Sequence, residues 1–286
     1  MEQKKKTWEP IVYAVIFLVV ILVLFYIYTT QNKVRIQEQN KVYAGDCAKQ
    51  TAGRIESEFD NAQQRISNSA YLVSAGGNNL EISAQLLGAI EDNTSFDAIR
   101  FADADGMVLA SDGATSDSSD REYFTRGMRG ESGLETVDET GSTGKSMMGF
   151  YAPVYREQEI TGVFLGLYFA EDYLRNMLSC SYFGEAADVF LCTREGRVIA
   201  SSDTKAYDGD LLDALAESGM IDVETAESAR GVFDNGGEAT LLCSEDCKTD
   251  NLCVIYLRGY DYVLVQAFPK GITQTMVKRA NRTGVI

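Results

Sequence analysis

The stretch FDAIRFADADGMVLAS, residues 96–111, predicts an antiparallel hairpin. Short apolar runs lie on both sides of the pair Asp105 and Gly106, which is a favoured two-residue hairpin turn. The same order returns at 189–201, where two apolar runs flank a turn at 194–196. The similarity is one of pattern and not of residue identity. Two hairpins of this kind predict two similar units, each built on an antiparallel sheet.

Each hairpin is followed by helical segments and by three further runs that are typical of strands. These runs lie at 134–138, 146–155 and 160–169 in the first unit and at 238–243, 252–257 and 260–268 in the second. The helices come after the second strand of each unit and are expected on one side of its sheet. This arrangement predicts an α+β fold class.

Upstream of the first unit, residues 11–28 carry neither a charge nor a glycine. At about 1.5 Å per residue this run covers roughly 27 Å, close to the hydrocarbon thickness of a bilayer. No Ala-x-Ala-like site follows it, as one would after a cleaved signal peptide. We therefore predict an uncleaved transmembrane helix. Lys4, Lys5 and Lys6 favour a cytoplasmic amino terminus, which puts the chain after Thr30 outside.

The segment 31–74 predicts a long stalk helix that continues the membrane helix. It contains no proline, and its small and apolar residues recur at steps of three and four. The repeat comprises Ala52, Ile55, Phe59, Ala62, Ile66, Ser69 and Val73. Two interpretations are open: the repeat is either the seam of a homodimer or the face of a helix that packs on its own domain.

The formal net charge is -16, and the chain has no histidine. The negative charge argues against a nucleic-acid partner. The lack of histidine excludes Ser-His-Asp and Cys-His hydrolases and histidine-based metal sites from these residues. The sequence therefore predicts no cofactor and no metal in this region.

The six cysteines suit an oxidising compartment and permit full pairing. The spacing of Cys243, Cys247 and Cys253 matches no common zinc pattern, so disulfides are favoured over a metal. Cys243 and Cys253 flank a loop between two predicted neighbouring strands, which makes them the first choice for a disulfide. Cys180 and Cys192 are further candidates.

Several features, taken in order, resemble a double Cache sensor domain. After the membrane and stalk helices come the hairpin at 96–111, Asp-Arg-Glu-Tyr-Phe at 120–124, and Ala-Pro-Val-Tyr at 152–155 leading to Gly-Val-Phe-Leu-Gly. A closing strand that ends at Pro269 resembles that of the membrane-proximal unit. The resemblance covers residues 33–278 and implies two PAS-like units. The implied divisions are a tip and membrane helix at 1–30, a stalk at 31–78, a distal unit at 79–183, a proximal unit at 184–270 and a linker at 271–286.

The resemblance implies an extracellular or periplasmic small-molecule sensor in a bacterial membrane. Such sensors belong to chemoreceptors, sensor kinases or cyclic-di-GMP enzymes such as diguanylate cyclases, in which a second membrane helix and an output domain follow. This chain is thus expected to be the sensory half, a region with no enzymatic activity of its own. Two alternatives stay open: a pilin-like structural subunit, whose leader pattern is not matched at 6–10, and an anchored extracellular enzyme using carboxylates such as Asp103 and Asp105.

In amino-acid-binding Cache sensors, an arginine and aromatic residues on a short helix hold the ligand carboxylate, and acidic residues on later strands hold the ammonium. Arg121, Tyr123 and Phe124 match the first part, and a guanidinium can hold a carboxylate through two parallel hydrogen bonds. At the position of the last acidic residue this chain has Leu167 or Tyr168, so the ligand class stays open. The predicted ligand-binding residues are Arg121, Tyr123, Phe124, Asp138, Tyr151 and Tyr168. The alternative is that Arg121 pairs at the surface and the aromatic residues are core.

Overall fold

The computed structural model describes residues 9–76, 82–138, 146–179, 187–202, 207 and 209–271. The predicted tip before Glu9, Cys180 and the predicted linker beyond Gly271 lie outside these residues.

A single helix of 67 residues, α1 (Glu9–Ala75), precedes both sheets. Pro10 lies in its first turn, where a missing N–H is tolerated. The whole predicted repeat from Ala52 to Val73 is buried against the chain's own sheets, so the intramolecular interpretation of this repeat is correct. Among the residues that the structure describes, no helix combines the length and the apolarity needed to cross a membrane.

The first sheet contains six antiparallel strands. They are β1 (Ala98–Asp103), β2 (Met107–Ala110), β3 (Thr115–Asp117), β4 (Gly133–Asp138), β5 (Ser146–Arg156) and β6 (Glu159–Phe169), and the helices around them are α2 (Ala84–Asp92), α3 (Glu122–Gly127) and α4 (Ala170–Ser179). Their order in the sheet is β3-β2-β1-β6-β5-β4. The predicted hairpin turn is present between β1 and β2, with Gly106 at φ 84°, a conformation that glycine adopts without strain.

The two faces of the first sheet carry different layers because strand residues alternate. On β6, Phe164 and Tyr168 belong to the cluster that packs on α1, and we call this side the α1 face. Val163, Leu165 and Leu167 belong to a separate cluster with Tyr123 and Phe124 of α3, and we call that side the α3 face.

The second sheet contains five antiparallel strands. They are β7 (Asp188–Thr193), β8 (Val198–Ser201), β9 (Glu238–Leu242), β10 (Thr249–Leu257) and β11 (Tyr262–Pro269), and the helices between β8 and β9 are α5 (Leu211–Glu217) and α6 (Val223–Asn235). The order β8-β7-β11-β10-β9 repeats that of β2-β1-β6-β5-β4. The predicted α+β class with antiparallel sheets is therefore confirmed.

Helix α1 connects the two sheets. Its Phe59 lies 5.9 Å from Phe150 of the first sheet and 6.4 Å from Tyr262 of the second, measured between ring centroids. A direct hydrogen bond of 2.6 Å also joins the hydroxyls of Thr136 on β4 and Tyr262 on β11. One continuous apolar cluster contains residues of α1 and of both sheets.

The predicted disulfide between Cys243 and Cys253 is not formed. All five cysteines within the described residues have free thiols. Cys253 lies opposite Thr240 on β9, whereas Cys243 follows the end of β9 and donates its N–H to Asp250. The two side chains belong to clusters on opposite faces of the sheet, so no disulfide geometry is available. The candidate Cys192 is also a free, fully buried thiol, and burial raises its pKa.

Asp222 is the N-cap of α6, and its carboxylate also forms a hydrogen bond to the β9–β10 connection. Its Oδ1 accepts from the Thr225 N–H at 2.9 Å, and its Oδ2 accepts from the Ser244 N–H at 2.9 Å. These hydrogen bonds, the one from Ser244 foremost, hold the pKa of the Asp222 carboxyl well below its usual range.

We expect Asp222→Ala to lower the free energy of unfolding by about 0.5 to 2 kcal/mol, the usual range for a lost N-cap. Because the folded-state pKa is depressed, the carboxylate stabilises the fold above its ordinary value of 3.8, and the contribution is lost as pH falls through the folded-state pKa. Urea unfolding at neutral and acidic pH measures both effects. Asp222→Asn, which keeps a capping oxygen, is the control, and unchanged stability of Asp222→Ala at neutral pH would contradict the assignment.

Candidate ligand-binding site

Helix α3 begins just after β3 and lies directly on β6 near its other end. Arg121 is its N-cap, and the Arg121 N–H donates to the Ser118 carbonyl at 3.0 Å. Near the other end, a Cβ on Gly127 would lie 2.6 Å from a methyl carbon of Val163 on β6. Only glycine permits this close approach, so α3 lies directly on the α3 face.

The buried residues of the α3 face form a mostly apolar layer between helix α3 and the sheet. Tyr123 and Phe124 of α3 pack with Tyr151 of β5 and with Leu165 and Leu167 of β6. The rings of Tyr123 and Tyr151 have centroids 6.3 Å apart. An apolar enclosure with a few polar groups is the usual composition of a small-molecule site.

Two polar atoms of this enclosure are buried without a hydrogen-bond partner among the described residues: Glu135 Oε2 and the Tyr151 hydroxyl. Glu135 lies on β4 opposite Gly149, two residues from the pair Gly133 and Tyr151, so it shares the side of the sheet on which Tyr151 lies. The backbone N–H of Tyr123, in the first turn of α3, is close enough to lower the pKa of the Glu135 carboxyl. One oxygen of this carboxylate stays unpaired.

Burial shifts the pKa values of the titratable groups in this enclosure. Burial raises the pKa of the Glu135 carboxyl, and the hydrogen bond from Tyr123 and the charges of Arg121 and Arg126 oppose the shift. Burial also raises the pKa of the hydroxyls of Tyr151 and Tyr123. Both phenols are therefore neutral donors near neutral pH, whereas the unpaired carboxylate oxygen needs a donor.

Charged side chains surround the outer rim of α3. Arg126 donates from its Nε to Glu131 at 2.9 Å and lies 3.7 Å from Glu122. Arg121 is exposed at the start of the helix, and its charge is close enough to lower the pKa of Glu135. Because Arg126 is already paired with carboxylates, Arg121 is the better placed guanidinium for an anionic group.

The structure brings four of the six predicted ligand-binding residues together: Arg121, Tyr123, Phe124 and Tyr151. Tyr168 lies on the α1 face instead, where its ring stacks on Tyr173 with centroids 4.0 Å apart. Its hydroxyl is 2.7 Å from that of Ser95. Tyr168 thus packs between the sheet and α1, apart from the other four residues, and its contact with a ligand stays a prediction.

Asp138 ends β4 opposite Ser146, and its side chain lies outside the described part of the structure. The sequence analysis predicted Asp138, and not Glu135, as the acidic residue that faces the ligand. Strand alternation could have identified Glu135. Leu134 packs on the α1 face, so its neighbour Glu135 must lie on the opposite face of the sheet.

The arrangement can bind a small molecule through a carboxylate, a phenol and a guanidinium around apolar walls. Within the described ranges, no three His, Cys, Asp or Glu side chains come together as metal ligands.

Comparisons with known proteins agree with this architecture. A family model described as Cache domain matches residues 29–267. No curated protein matches the chain. The ligand-binding domain of the Pseudomonas fluorescens chemoreceptor CtaA, in complex with L-leucine, has a TM-score of 0.62 at 17% identity, with 84% of this chain and 99% of that chain covered.

Two further solved structures have the same fold. The ligand-binding domain of Mlp24 with asparagine gives a TM-score of 0.58 at 16% identity, covering 85% of this chain and 98% of that chain. The ligand-binding domain of the Campylobacter jejuni chemoreceptor Tlp3 with 4-methylisoleucine gives 0.59 at 10% identity, covering 83% and 94%. By the family match over most of its length, the chain belongs to the Cache domain family and is a double Cache sensor domain.

Proposed function

We propose that the α3 face of the first sheet binds a small molecule that carries a primary ammonium and a carboxylate. The main support for this site is the buried, unpaired Oε2 of Glu135, which lies on the same side of the sheet as the unpaired hydroxyl of Tyr151. An ammonium would donate to Glu135, and the carboxylate would meet the guanidinium of Arg121. This polarity supports a ligand of the amino-acid type, the type bound by the neighbouring CtaA domain.

The site differs from the pattern implied by the resemblance in the source of its acidic group. Leu167, at the position expected for an acidic residue, is fully buried in the apolar cluster of the α3 face. The carboxylate comes from β4 instead, where Glu135 lies two strands away in the sheet. An amine bound by Glu135 would therefore be held from β4 and not from β6, the strand that the resemblance implies.

We further propose that this sensor acts outside a bacterial cell and is anchored by the first part of α1. The sequence run 11–28 supports the anchor, as does the exposure of its large apolar side chains, for example Phe17 at 67% and Leu24 at 60%. A cytoplasmic output domain, which the resemblance implies, would receive the signal. These statements rest on the sequence and the family, since no described helix meets the requirement for a membrane span.

Homodimerisation is likewise a proposal. The inner face of α1 is occupied by the chain's own sheets, so a second copy would have to contact the outer face. That face exposes Tyr71 and Leu72 near the distal end of the helix. Sedimentation of the full chain in detergent with Leu72→Asp would test this contact.

The ligand is found by a thermal-shift screen of small metabolites on the full chain, followed by calorimetric titration of the strongest hit. We expect Arg121→Ala to weaken binding about tenfold or more, because it removes a charge-assisted pair worth roughly 1.5 to 3 kcal/mol. The fold should be retained, since the exposed Arg121 side chain makes no capping hydrogen bond to α3. Arg129→Ala, an exposed arginine just beyond α3, is the matched control. Equal losses in both variants, or none in Arg121→Ala, would contradict this role of Arg121.

A further inference from the structure

Strand β4 carries a residue of the ligand-binding site on one side and a contact with the second sheet on the other. Glu135 lies on the α3 face, and its neighbours Leu134 and Thr136 lie on the opposite side because strand residues alternate. β4 is the last strand in the order of the first sheet, where its partner is β5. Because Glu135 and Thr136 are consecutive on one edge strand, a displacement of either residue also moves the other.

The hydroxyls of Thr136 and Tyr262 form the contact with the second sheet. Their oxygens are 2.6 Å apart, and either can be the donor. Tyr262 is buried at the start of β11, where it is paired with Thr193 of β7 and with Leu257 of β10. β11 is the central strand of the second sheet. The contact therefore joins an edge strand of the first sheet directly to the centre of the second.

This contact is sensitive to small displacements of β4. A hydrogen bond between two hydroxyls is most favourable at about 2.7 to 2.8 Å, and at about 3.6 Å a side-chain contact is no longer a hydrogen bond. A shift of Thr136 by about 1 Å away from Tyr262 would thus break it. The contact can therefore distinguish two closely similar positions of the strand.

The charge of Glu135 also acts on Tyr262. Burial raises the pKa of the Tyr262 hydroxyl, the hydrogen bond with Thr136 opposes this shift, and the Glu135 carboxylate adds to it. The Tyr262 hydroxyl is therefore neutral near neutral pH. An ammonium bound at Glu135 would change the electrostatic field at Tyr262 as well as the position of β4.

We propose that the Thr136–Tyr262 contact couples ligand binding on the α3 face to the conformation of the second sheet. The inference rests on the proposed function, in which Glu135 binds the ammonium of the ligand. The ammonium draws the unpaired Oε2 of Glu135 further toward the α3 face, and β4 moves with it. Thr136, on the other side of the strand, then moves away from Tyr262. The contact thus favours the ligand-free state, and its loss transmits occupancy of the site to β11.

Hydrogen exchange of the full chain without ligand tests the contact itself. Thr136→Val and Tyr262→Phe each remove one hydroxyl with little change of shape. We expect each variant to speed exchange of both β4 and β11 about two- to tenfold, because both strands lose the same hydrogen bond. The double variant should exchange no faster than the faster single variant, since its second substitution removes a hydroxyl whose partner is already absent. Thr115→Val, on the exposed strand β3 at the opposite edge of the same sheet, is the matched control and should change neither strand.

Calorimetric titration of L-leucine tests the link to the binding site. L-leucine is the probe because it carries a primary ammonium, a carboxylate and an apolar side chain. Coupling between a ligand and a contact is reciprocal, so a contact that ligand binding weakens must itself oppose binding. We expect Thr136→Val and Tyr262→Phe to bind L-leucine about two- to tenfold more tightly than wild type. L-leucine should also speed exchange of β11 in wild type and leave it unchanged in Tyr262→Phe.

Exchange effects that stay in the strand carrying the substitution, or that add in the double variant, would overturn the coupling. Unchanged L-leucine affinity in both variants, while wild type binds L-leucine, would overturn it as well. Absence of L-leucine binding to wild type contradicts the amino-acid-type ligand of the proposed function, and the exchange experiment without ligand then decides the coupling by itself. If Thr136→Val does not fold, exchange of β4 in Tyr262→Phe and the L-leucine affinity of that variant supply the test.

Discussion

Glu135→Gln should weaken binding of the strongest amine ligand by about tenfold to a hundredfold. The variant retains a side-chain oxygen that can accept from the backbone N–H of Tyr123. It removes the negative charge that an ammonium would meet, a charge-assisted hydrogen bond worth roughly 1.5 to 3 kcal/mol. Calorimetric titration against wild type measures the loss.

The same substitution should change how stability and binding depend on pH. Because burial raises the folded-state pKa of Glu135 above its ordinary 4.5, the ligand-free fold is favoured by protonation. This contribution is fully present below the unfolded-state pKa and is lost as pH rises through the folded-state pKa. Ligand-free wild type should therefore lose stability across that window, and Glu135→Gln should not. Affinity for the ammonium should fall in wild type as pH drops through the same window.

Glu159→Gln is the matched control, because Glu159 is an exposed glutamate at the start of β6 in the same sheet. It should leave both affinity and pH dependence unchanged. If Glu135→Gln binds the amine as tightly as wild type, the ligand ammonium is held by another group. If the variant also leaves the pH dependence unchanged, Glu135 has no titratable role in the pocket.

The hairpins and the α1 repeat could be predicted because their signals are local. The turn at Asp105 and Gly106 sets the β1–β2 connection within four residues, and Gly106 adopts the positive φ that the turn requires. The steps from Ala52 to Val73 likewise require only that one side of a helix be buried. Whether that side meets a second copy or the chain's own sheets depends on distant residues.

The faces of β6 show why the site was only partly predictable. Alternation states that Leu167 and Tyr168 point to opposite sides, but it does not say which side meets α1. That choice depends on the register with β5, where Tyr168 lies opposite Met148, and on the packing of Phe59. Glu135 was missed for the same reason, since a glutamate in a strand is usually solvated until a helix such as α3 covers it.

The cysteines show how a loop length can mislead. The spacing of Cys243 and Cys253 allowed them to be opposite each other in a hairpin. The actual register pairs Leu242 with Asn251 and Thr240 with Cys253, so Cys243 lies beyond the ladder. An offset of one residue moves a side chain to the other face of a sheet, and sequence spacing alone does not determine the register.

Phe59→Ala should lower the free energy of unfolding by about 3 to 5 kcal/mol, the usual cost of removing a fully buried aromatic ring. Its ring contacts Phe150 of the first sheet and, from the second, Tyr260 at 5.1 Å and Tyr262 at 6.4 Å between centroids. The cavity left by the ring would be bordered by both sheets. We therefore expect both sheets to lose protection together.

Hydrogen exchange followed separately for β5 and β11 tests this coupling in the full chain. Val42→Ala is the matched control, because it removes an apolar side chain from the same helix at a position that is 56% exposed. The control should change stability by less than about 0.5 kcal/mol. If only β5 lost its protection against hydrogen exchange, Phe59 of α1 would not couple the stability of the first sheet to that of the second. Faster exchange in both strands would identify Phe59 as the contact through which the two sheets share one core.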